Sequence, residues 1–364
     1  MGRARRARRI AQAAAYGGGF GVAGIGALGA LGYGLIKAEA ILARRIVGQP
    51  FESAPDDAGR YGSGSGKPVE LLMLGDSLAV GMGSDTRNET IGAILASGIS
   101  AFSGRPVHLT NVAVVGAESS ELDLQVTNAL DAVPGPDAAV LLIGANDVTH
   151  RIDKSIAVRH LEGAVRRLRE AGAEVVVGTC PDLGTLQPVA QPLRSLGRRW
   201  SRDLAAAQTV GVVEAGGRTV SLGDIIGPDF AERPAEMFSK DRFHPSAAGY
   251  ARTAAALLPS VCSALGLWGE DSHPVAQRGD AVASVSKAAT RAVREPGTEV
   301  SPTTIGGQAR GPRGLWALVL HRVRRPFPDR SDHRATEPEA PAGDPSTTDP
   351  PVDVSDPTVD TATA

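Results

Sequence analysis

Between Pro68 and Leu265 the sequence alternates short apolar runs with longer amphipathic stretches, and this alternation leaves few architectures open. The runs at 69–74, 107–114, 138–143 and 174–179 have strand length, and Val212 and Val213 begin a weaker fifth. Helical spacing fills the intervals at 86–102, 122–132, 156–171 and 192–208. One more helix, 246–265, follows Pro245, which suits a helix's first turn. The strand-like runs are apolar at nearly every position, so both faces are covered, as in parallel sheets flanked by helices. The expected fold is α/β, a flavodoxin-like three-layer αβα domain with a parallel sheet of about five strands.

Open sheets of this kind bind ligands beyond the carboxyl ends of their strands. Chemically useful residues fall at those ends: Ser77, in Gly75-Asp76-Ser77-Leu78, after the first run, Gly116 after the second, Asn146 after the third. Far downstream, Asp241-Arg242-Phe243-His244-Pro245 supplies an acid and an imidazole three residues apart. A serine hydroxyl becomes a nucleophile at neutral pH only when a base takes its proton, and imidazole is the suitable type. Asp241, one turn away, can orient the ring and stabilise the imidazolium that forms.

Across 68–268 the chain resembles the SGNH hydrolases, also called the GDSL esterase/lipase family, in four separated blocks. Gly75-Asp76-Ser77-Leu78 is similar to the block carrying the nucleophile, and Asn111-Val112-Ala113-Val114-Val115-Gly116 to the block that ends in the oxyanion-hole glycine. Gly144-Ala145-Asn146-Asp147 is similar to the G-x-N-D block, whose asparagine donates to the oxyanion, and Asp241 with His244 fits the D-x-x-H block. The resemblance implies the SGNH fold, a Ser77-His244-Asp241 triad, an oxyanion hole of Ser77, Gly116 and Asn146, and no metal or organic cofactor. Ala117-Glu118-Ser119 after Gly116 departs from the pattern. Each oxyanion donor contributes about 3 to 4 kcal/mol to lowering such a barrier. Glycine at 116 is expected so that no side chain blocks the approach. Asp76 and Asp147 are expected to hydrogen-bond loop backbone, and His108, His150 and His160 are left without a role.

The predicted activity is hydrolysis of carboxylic esters of envelope lipids or acylated glycans through an acyl-serine. Acyl transfer to a sugar or lipid hydroxyl would use the same residues. Two other classes stay open at this level: a non-catalytic envelope scaffold that keeps the fold, and a nucleotide binder using 75–83, which lacks the P-loop lysine. A net charge of −2, with no interleaving of basic and aromatic residues in the middle, argues against nucleic-acid binding. Cys180 and Cys262 are far apart and have no metal-ligand spacing, so they read as small buried residues.

The ends differ from the middle. Arg3, Arg5, Arg6, Arg8 and Arg9 precede an uncharged run from Ile10 to Ile36. At 1.5 Å per residue such a run is about 40 Å long as a helix, enough to span a bilayer. The arginines favour an inside N-terminus, so 1–48 is expected to be a signal anchor holding the domain outside the cell membrane. Secretion after cleavage at Ala38-Glu39-Ala40 is the alternative. Residues 49–67 read as a linker, and 269–364 as a largely disordered tail. Within that tail, 314–326 forms an apolar and basic patch suited to a membrane surface.

Overall fold

The structure, a computed structural model, describes residues 53–186, 189–223, 229–267, 284–295 and 297–302 in full, and the backbone of 228, 283, 304–305, 308–309 and 316–320. The edge strand β1 (Gly59–Tyr61) is followed by β2 (Val69–Gly75), the short helix α1 (Ser77–Val80) and α2 (Ile91–Ser103). Next come β3 (Val107–Asn111), α3 (Leu122–Ala132), β4 (Ala138–Leu142), α4 (Ala145–His150), α5 (Lys154–Glu170), β5 (Glu174–Gly178), α6 (Leu193–Glu214) and β6 (Arg218–Val220). Two short helices, α7 (Pro228–Glu232) and α8 (Pro234–Met237), lead into α9 (Ala247–Ala264).

Strands β3, β2, β4, β5 and β6 lie side by side in that order, all parallel. Because side chains alternate along a strand, the apolar run of β2 serves both faces. Leu71 and Met73, with Val140 and Leu142 of β4, pack under Ile91, Leu95 and Ile99 of α2 and Leu257 and Val261 of α9. Leu72 and Leu74, with Ala139 and Leu141, pack under Leu122 and Val126 of α3 and Leu161, Val165 and Leu168 of α5. Each fully buried aliphatic side chain contributes about 1.5–3 kcal/mol, so these two layers hold the sheet edge-on to the site.

The sheet is mixed, not purely parallel. β1 pairs antiparallel with β3, matching Gly59 to Leu109 and Tyr61 to Val107. At the other edge come β7 (Ala283–Ser284), α10 (Val285–Ala292), β8 (Glu299–Pro302), β9 (Thr304–Ile305), β10 (Gln308–Ala309) and β11 (Trp316–Leu320). β8 pairs antiparallel with β6, β11 with β8, and β7 with β11, while β9 and β10 pair with each other. The added strands cover what would otherwise be open sheet edges. Val300 is fully buried among Val213, Val285, Ala288 and Ala292.

Four expectations are therefore corrected. Residues 57–61, placed in the linker, belong to the fold: buried Asp57 accepts from Thr90 Oγ1 at 2.7 Å and from Asn111 Nδ2 at 3.0 Å. Val212 and Val213 close α6, and the fifth strand begins only at Arg218, after a turn through Gly216 at φ 89°. The run 107–114 stops as a strand at Asn111, whose Oδ1 accepts from the Ala113 N–H at 3.1 Å and bends the chain away. The tail is structured where it is described, and Trp316–Leu320, inside the expected patch at 314–326, is a strand paired with β8.

The expected anchor at 1–48 and the chain from 321 onward lie outside the described residues. Among those described, no helix is long and apolar enough to cross a membrane. Cys180 and Cys262 are both buried.

Candidate active site

Ser77 is placed by a strand-turn-helix passage. Gly75, at φ 133°, lies so close to β4 that a Cβ there would sit 1.9 Å from the Leu142 carbonyl oxygen. Gln125 of α3 clamps the same glycine, accepting from its N–H at 2.8 Å and donating to its carbonyl at 2.9 Å. Asp76 then caps α1, accepting from the Leu78 N–H at 2.9 Å. Ser77 is thus the first helical residue, whose N–H has no partner within the helix.

Asp241 and His244 reach Ser77 from the far end of the chain. The segment between α8 and α9 folds back on itself: the Ser239 N–H donates to the His244 carbonyl at 2.9 Å, and Arg242 takes φ 57° at its tip. Asp241 Oδ1 accepts from Ser239 Oγ (2.7 Å), the Phe243 N–H (2.8 Å) and the His244 N–H (2.9 Å). Its Oδ2 faces His244 Nδ1 at 2.6 Å, and His244 Nε2 lies 3.0 Å from Ser77 Oγ. The Phe243 ring meets the imidazole edge-on at a centroid distance of 4.8 Å. Burial opposes a charge on Asp241, but the hydrogen bonds from His244, Phe243 and Ser239 outweigh it and hold the carboxyl well below the usual range. An ionised Asp241 keeps the imidazole hydrogen on Nδ1, so Nε2 is free to accept from Ser77.

Gly116 and Asn146 sit on the two loops flanking this point. The Val114 N–H donates to the Gly75 carbonyl at 3.1 Å, tying the loop after β3 to the strand that carries Ser77. The Ala117 N–H donates to the Val114 carbonyl at 3.1 Å, which makes 114–117 a turn with Gly116, at φ 85°, in its third position. A Cβ at Gly116 would meet nothing within 4 Å, so the backbone conformation, not crowding, calls for glycine. Asn146 Nδ2 donates to the Ala117 carbonyl at 3.0 Å, leaving its second hydrogen unused by that bond. All five sequence-predicted site residues therefore cluster at the carboxyl ends of β2, β3 and β4 or arrive there from the loop before α9.

The aspartates behave as expected, and more. Asp76 and Asp147 both bind loop backbone; Asp147 also accepts from Ser119 Oγ at 2.8 Å, beside the Ser119 N–H at 3.1 Å. Burial raises the Asp147 carboxyl, countered by those Ser119 bonds, and pushes Asp76 up to about 6. His150, left without a role above, pairs with Glu118 at 2.7 Å. Sequence reasoning missed Gln125 and Gln208. Gln208 accepts from the Cys180 N–H at 2.7 Å and donates to the Ile143 carbonyl at 3.0 Å, joining the ends of β4 and β5. A polar residue on the buried face of a predicted helix was the available signal for both. Burial pushes the Cys180 thiol well up, away from nucleophilic thiolate.

Beside Ser77 and His244 opens an apolar cavity of about 50 Å³, walled by Leu183, Leu186, Phe230 and Phe238. Among the described residues, no cluster of three or more His, Cys, Asp or Glu side chains is arranged to hold a metal ion.

Residues 73–252 match the model of the GDSL-like lipase/acylhydrolase family. The GDSL-like esterase Rv1075c of Mycobacterium tuberculosis is 40% identical over 241 residues, covering 64% of this chain and 77% of that one. Among solved structures, TesA aligns with a TM-score of 0.44 at 19% identity over 54% of this chain and 99% of its own. Axe2, an acetylxylan esterase from Geobacillus stearothermophilus, aligns with a TM-score of 0.40 at 19% identity over 56% and 95%.

Proposed function

The chain belongs to the GDSL-like lipase/acylhydrolase family and is a carboxylic ester hydrolase, and we propose that it works through an acyl-serine formed on Ser77. The observation that carries this reading is the continuous line of contacts from Asp241 Oδ2 through the His244 ring to Ser77 Oγ. In the first step Ser77 Oγ attacks the acyl carbon while His244 Nε2 takes its proton, and Asp241 stabilises the imidazolium. The charge that develops on the carbonyl oxygen is met by the N–H groups of Ser77 and Gly116 and by the second hydrogen of Asn146 Nδ2. Collapse of the tetrahedral intermediate breaks the ester bond, and His244 returns the proton to the departing alcohol oxygen. Water then attacks the acyl-serine, again giving its proton to His244, and the carboxylic acid leaves with Ser77 restored.

Esters of the cell envelope, on lipids or acylated glycans, are the substrate pool in this reading. The basic and then uncharged N-terminal sequence supports it, as a tether that holds the domain outside the membrane. Protease added to intact cells digests an exported domain, and a fully protected domain would reject the topology. The chemistry is tested with an active-site fluorophosphonate: wild type is labelled, Ser77→Ala is not. A wild-type protein that resists labelling yet is correctly folded would point to a scaffold instead.

A further inference from the structure

The turn that carries Asp241 and His244 is closed at its neck by Ser239. Phe238 and Pro245 form an antiparallel bridge beside it, the Ser239 N–H donates to the His244 carbonyl at 2.9 Å, and the Arg242 N–H donates to the Ser239 carbonyl at 2.9 Å. The side chain returns to the same turn: Ser239 Oγ donates to Asp241 Oδ1 at 2.7 Å.

That hydroxyl is also confined from outside the turn. The chain leaving α1, the helix that Ser77 begins, runs through Met82, whose carbonyl accepts from the Tyr250 hydroxyl at 2.7 Å, to Gly83 at φ 93°. A Cβ on Gly83 would lie 2.8 Å from both Cβ and Oγ of Ser239 and 2.7 Å from the Pro245 carbonyl oxygen, so this backbone packs directly on the Ser239 side chain. Ser239 is wedged between the segment that carries the nucleophile and the turn that carries its acid.

We propose that Ser239 is a positioning residue of the esterase site, its hydroxyl setting both the rotation of the Asp241 carboxylate and the share of its charge that reaches His244. The proposal rests on the Ser77-His244-Asp241 reading and deepens it. The other two donors to Oδ1 are the N–H groups of Phe243 and His244, which follow Asp241 in the chain, while Ser239 reaches it from the preceding side. With three donors on Oδ1, the carboxylate is held so that Oδ2 faces His244 Nδ1. A hydroxyl that donates to a carboxylate also draws on its negative charge and weakens its hold on the imidazole proton. Without that hydroxyl, His244 keeps its proton to higher pH. The other titratable groups around the pair are Asp76 on the turn before Ser77, Tyr250 of α9, and the exposed Lys240 and Arg242 on the turn itself, Lys240 lying 3.9 Å from Asp85. Substitutions at 239 leave all of these in place.

The test follows kcat/KM of the full chain with p-nitrophenyl acetate as a function of pH, after fluorophosphonate labelling has shown that each variant is folded. Ser239→Ala should move the acid limb, where His244 takes up its proton, upward by about half a pH unit and lower kcat on the plateau about three- to tenfold. Ser239→Thr and Ser239→Val share one shape and differ by a hydroxyl, so Ser239→Thr should keep the wild-type limb and Ser239→Val should follow Ser239→Ala. A serine that only supports the fold lowers the rate equally at every pH. An unmoved limb in Ser239→Ala, or coincident profiles for Ser239→Thr and Ser239→Val, would therefore overturn the proposal while leaving the triad reading intact. A wild-type enzyme inert to both the ester and the fluorophosphonate would overturn the triad reading, and the proposal with it.

Discussion

The side-chain amide of Asn146 donates one hydrogen to the carbonyl of Ala117, the residue directly after Gly116. In the proposed mechanism helix α4 would therefore do more than present one oxyanion donor, because it also holds the loop that carries Gly116. Its next residue, Asp147, takes both the N–H and the hydroxyl of Ser119, and His150 pairs with Glu118 one turn on. Three residues on one helix grip three consecutive residues of the loop, and these contacts tie the loop of Gly116 to the helix of Asn146.

The buried grip should matter and the exposed one should not. Asp147 and Ser119 are almost fully buried, and breaking their contact leaves a polar group unsatisfied at a cost of about 1–3 kcal/mol. Ser119→Ala and Asp147→Asn are expected to lower kcat by roughly tenfold or more with KM nearly unchanged, since the loss falls on the transition state. His150 and Glu118 are half-exposed, so His150→Ala should cost under about 1 kcal/mol. Steady-state kinetics alongside thermal melts would decide, and a change confined to KM would remove the loop from oxyanion positioning.

In the proposed mechanism Ser77 and His244 exchange one proton while Asp241 orients and stabilises the imidazole, so their losses should not add. Ser77→Ala and His244→Ala are each expected to lower kcat by several orders of magnitude, and the double variant little further. Asp241→Ala should lose less, because the imidazole keeps Nε2 within reach but loses its orientation and its counter-charge. Asn146→Ala should cost about two to three orders in kcat. A double-variant cycle on purified protein measures this, and additive losses at Ser77 and His244 would show that they serve separate steps.

The middle of the chain was legible because each apolar run of the sheet's core is buried on both faces, a pattern that survives without tertiary context. The site residues were legible for a related reason: Ser77, Gly116 and Asn146 occupy strand ends that topology alone brings to one edge. What stayed hidden depended on long-range pairing. Gly59–Tyr61 has no apolar run of its own and becomes a strand only because β3 offers an open edge. Glu299–Pro302 is equally unmarked, and its burial follows from β6 and the face of α10. Val212 and Val213 misled because two β-branched residues before a Gly-Gly pair fit a helix end as well as a strand start.

Asp57 links the N-terminal edge to the oxyanion loop, because Asn111, at the root of that loop, donates to both the Asp57 carboxylate and the Ala79 carbonyl at 3.0 Å. Asp57→Ala would leave Thr90 and Asn111 short of an acceptor in a buried place. The expected loss is about 1–3 kcal/mol of stability, a fall in melting temperature of several degrees. Thermal denaturation of the variant checks it, and a melt equal to wild type would return residues 57–61 to the status of a linker.

Two aspartates in one site should titrate in opposite directions. Asp76 is enclosed by protein; burial drives its carboxyl up to about 6, helped by the charge of Asp147 and resisted by the Leu78 N–H and His244. Asp241, paired with His244, is held well below the usual range. The consequences for stability have opposite signs. For Asp76 the folded state keeps its proton longer than the unfolded chain, so its contribution falls as pH rises from 3.8 to about 6, by on the order of 3 kcal/mol. For Asp241 the folded state releases its proton first, so its contribution is complete above the unfolded value and is lost only as pH falls below it. Carboxyl carbon NMR on ¹³C-labelled protein reads both groups directly: the Asp76 signal should move with a midpoint near 6 while the Asp241 signal stays that of a carboxylate down to pH 4. An Asp76 midpoint at or below 4 would mean that water reaches it, and that the turn carrying Ser77 is more open than its packing against Leu142 and Gln125 describes.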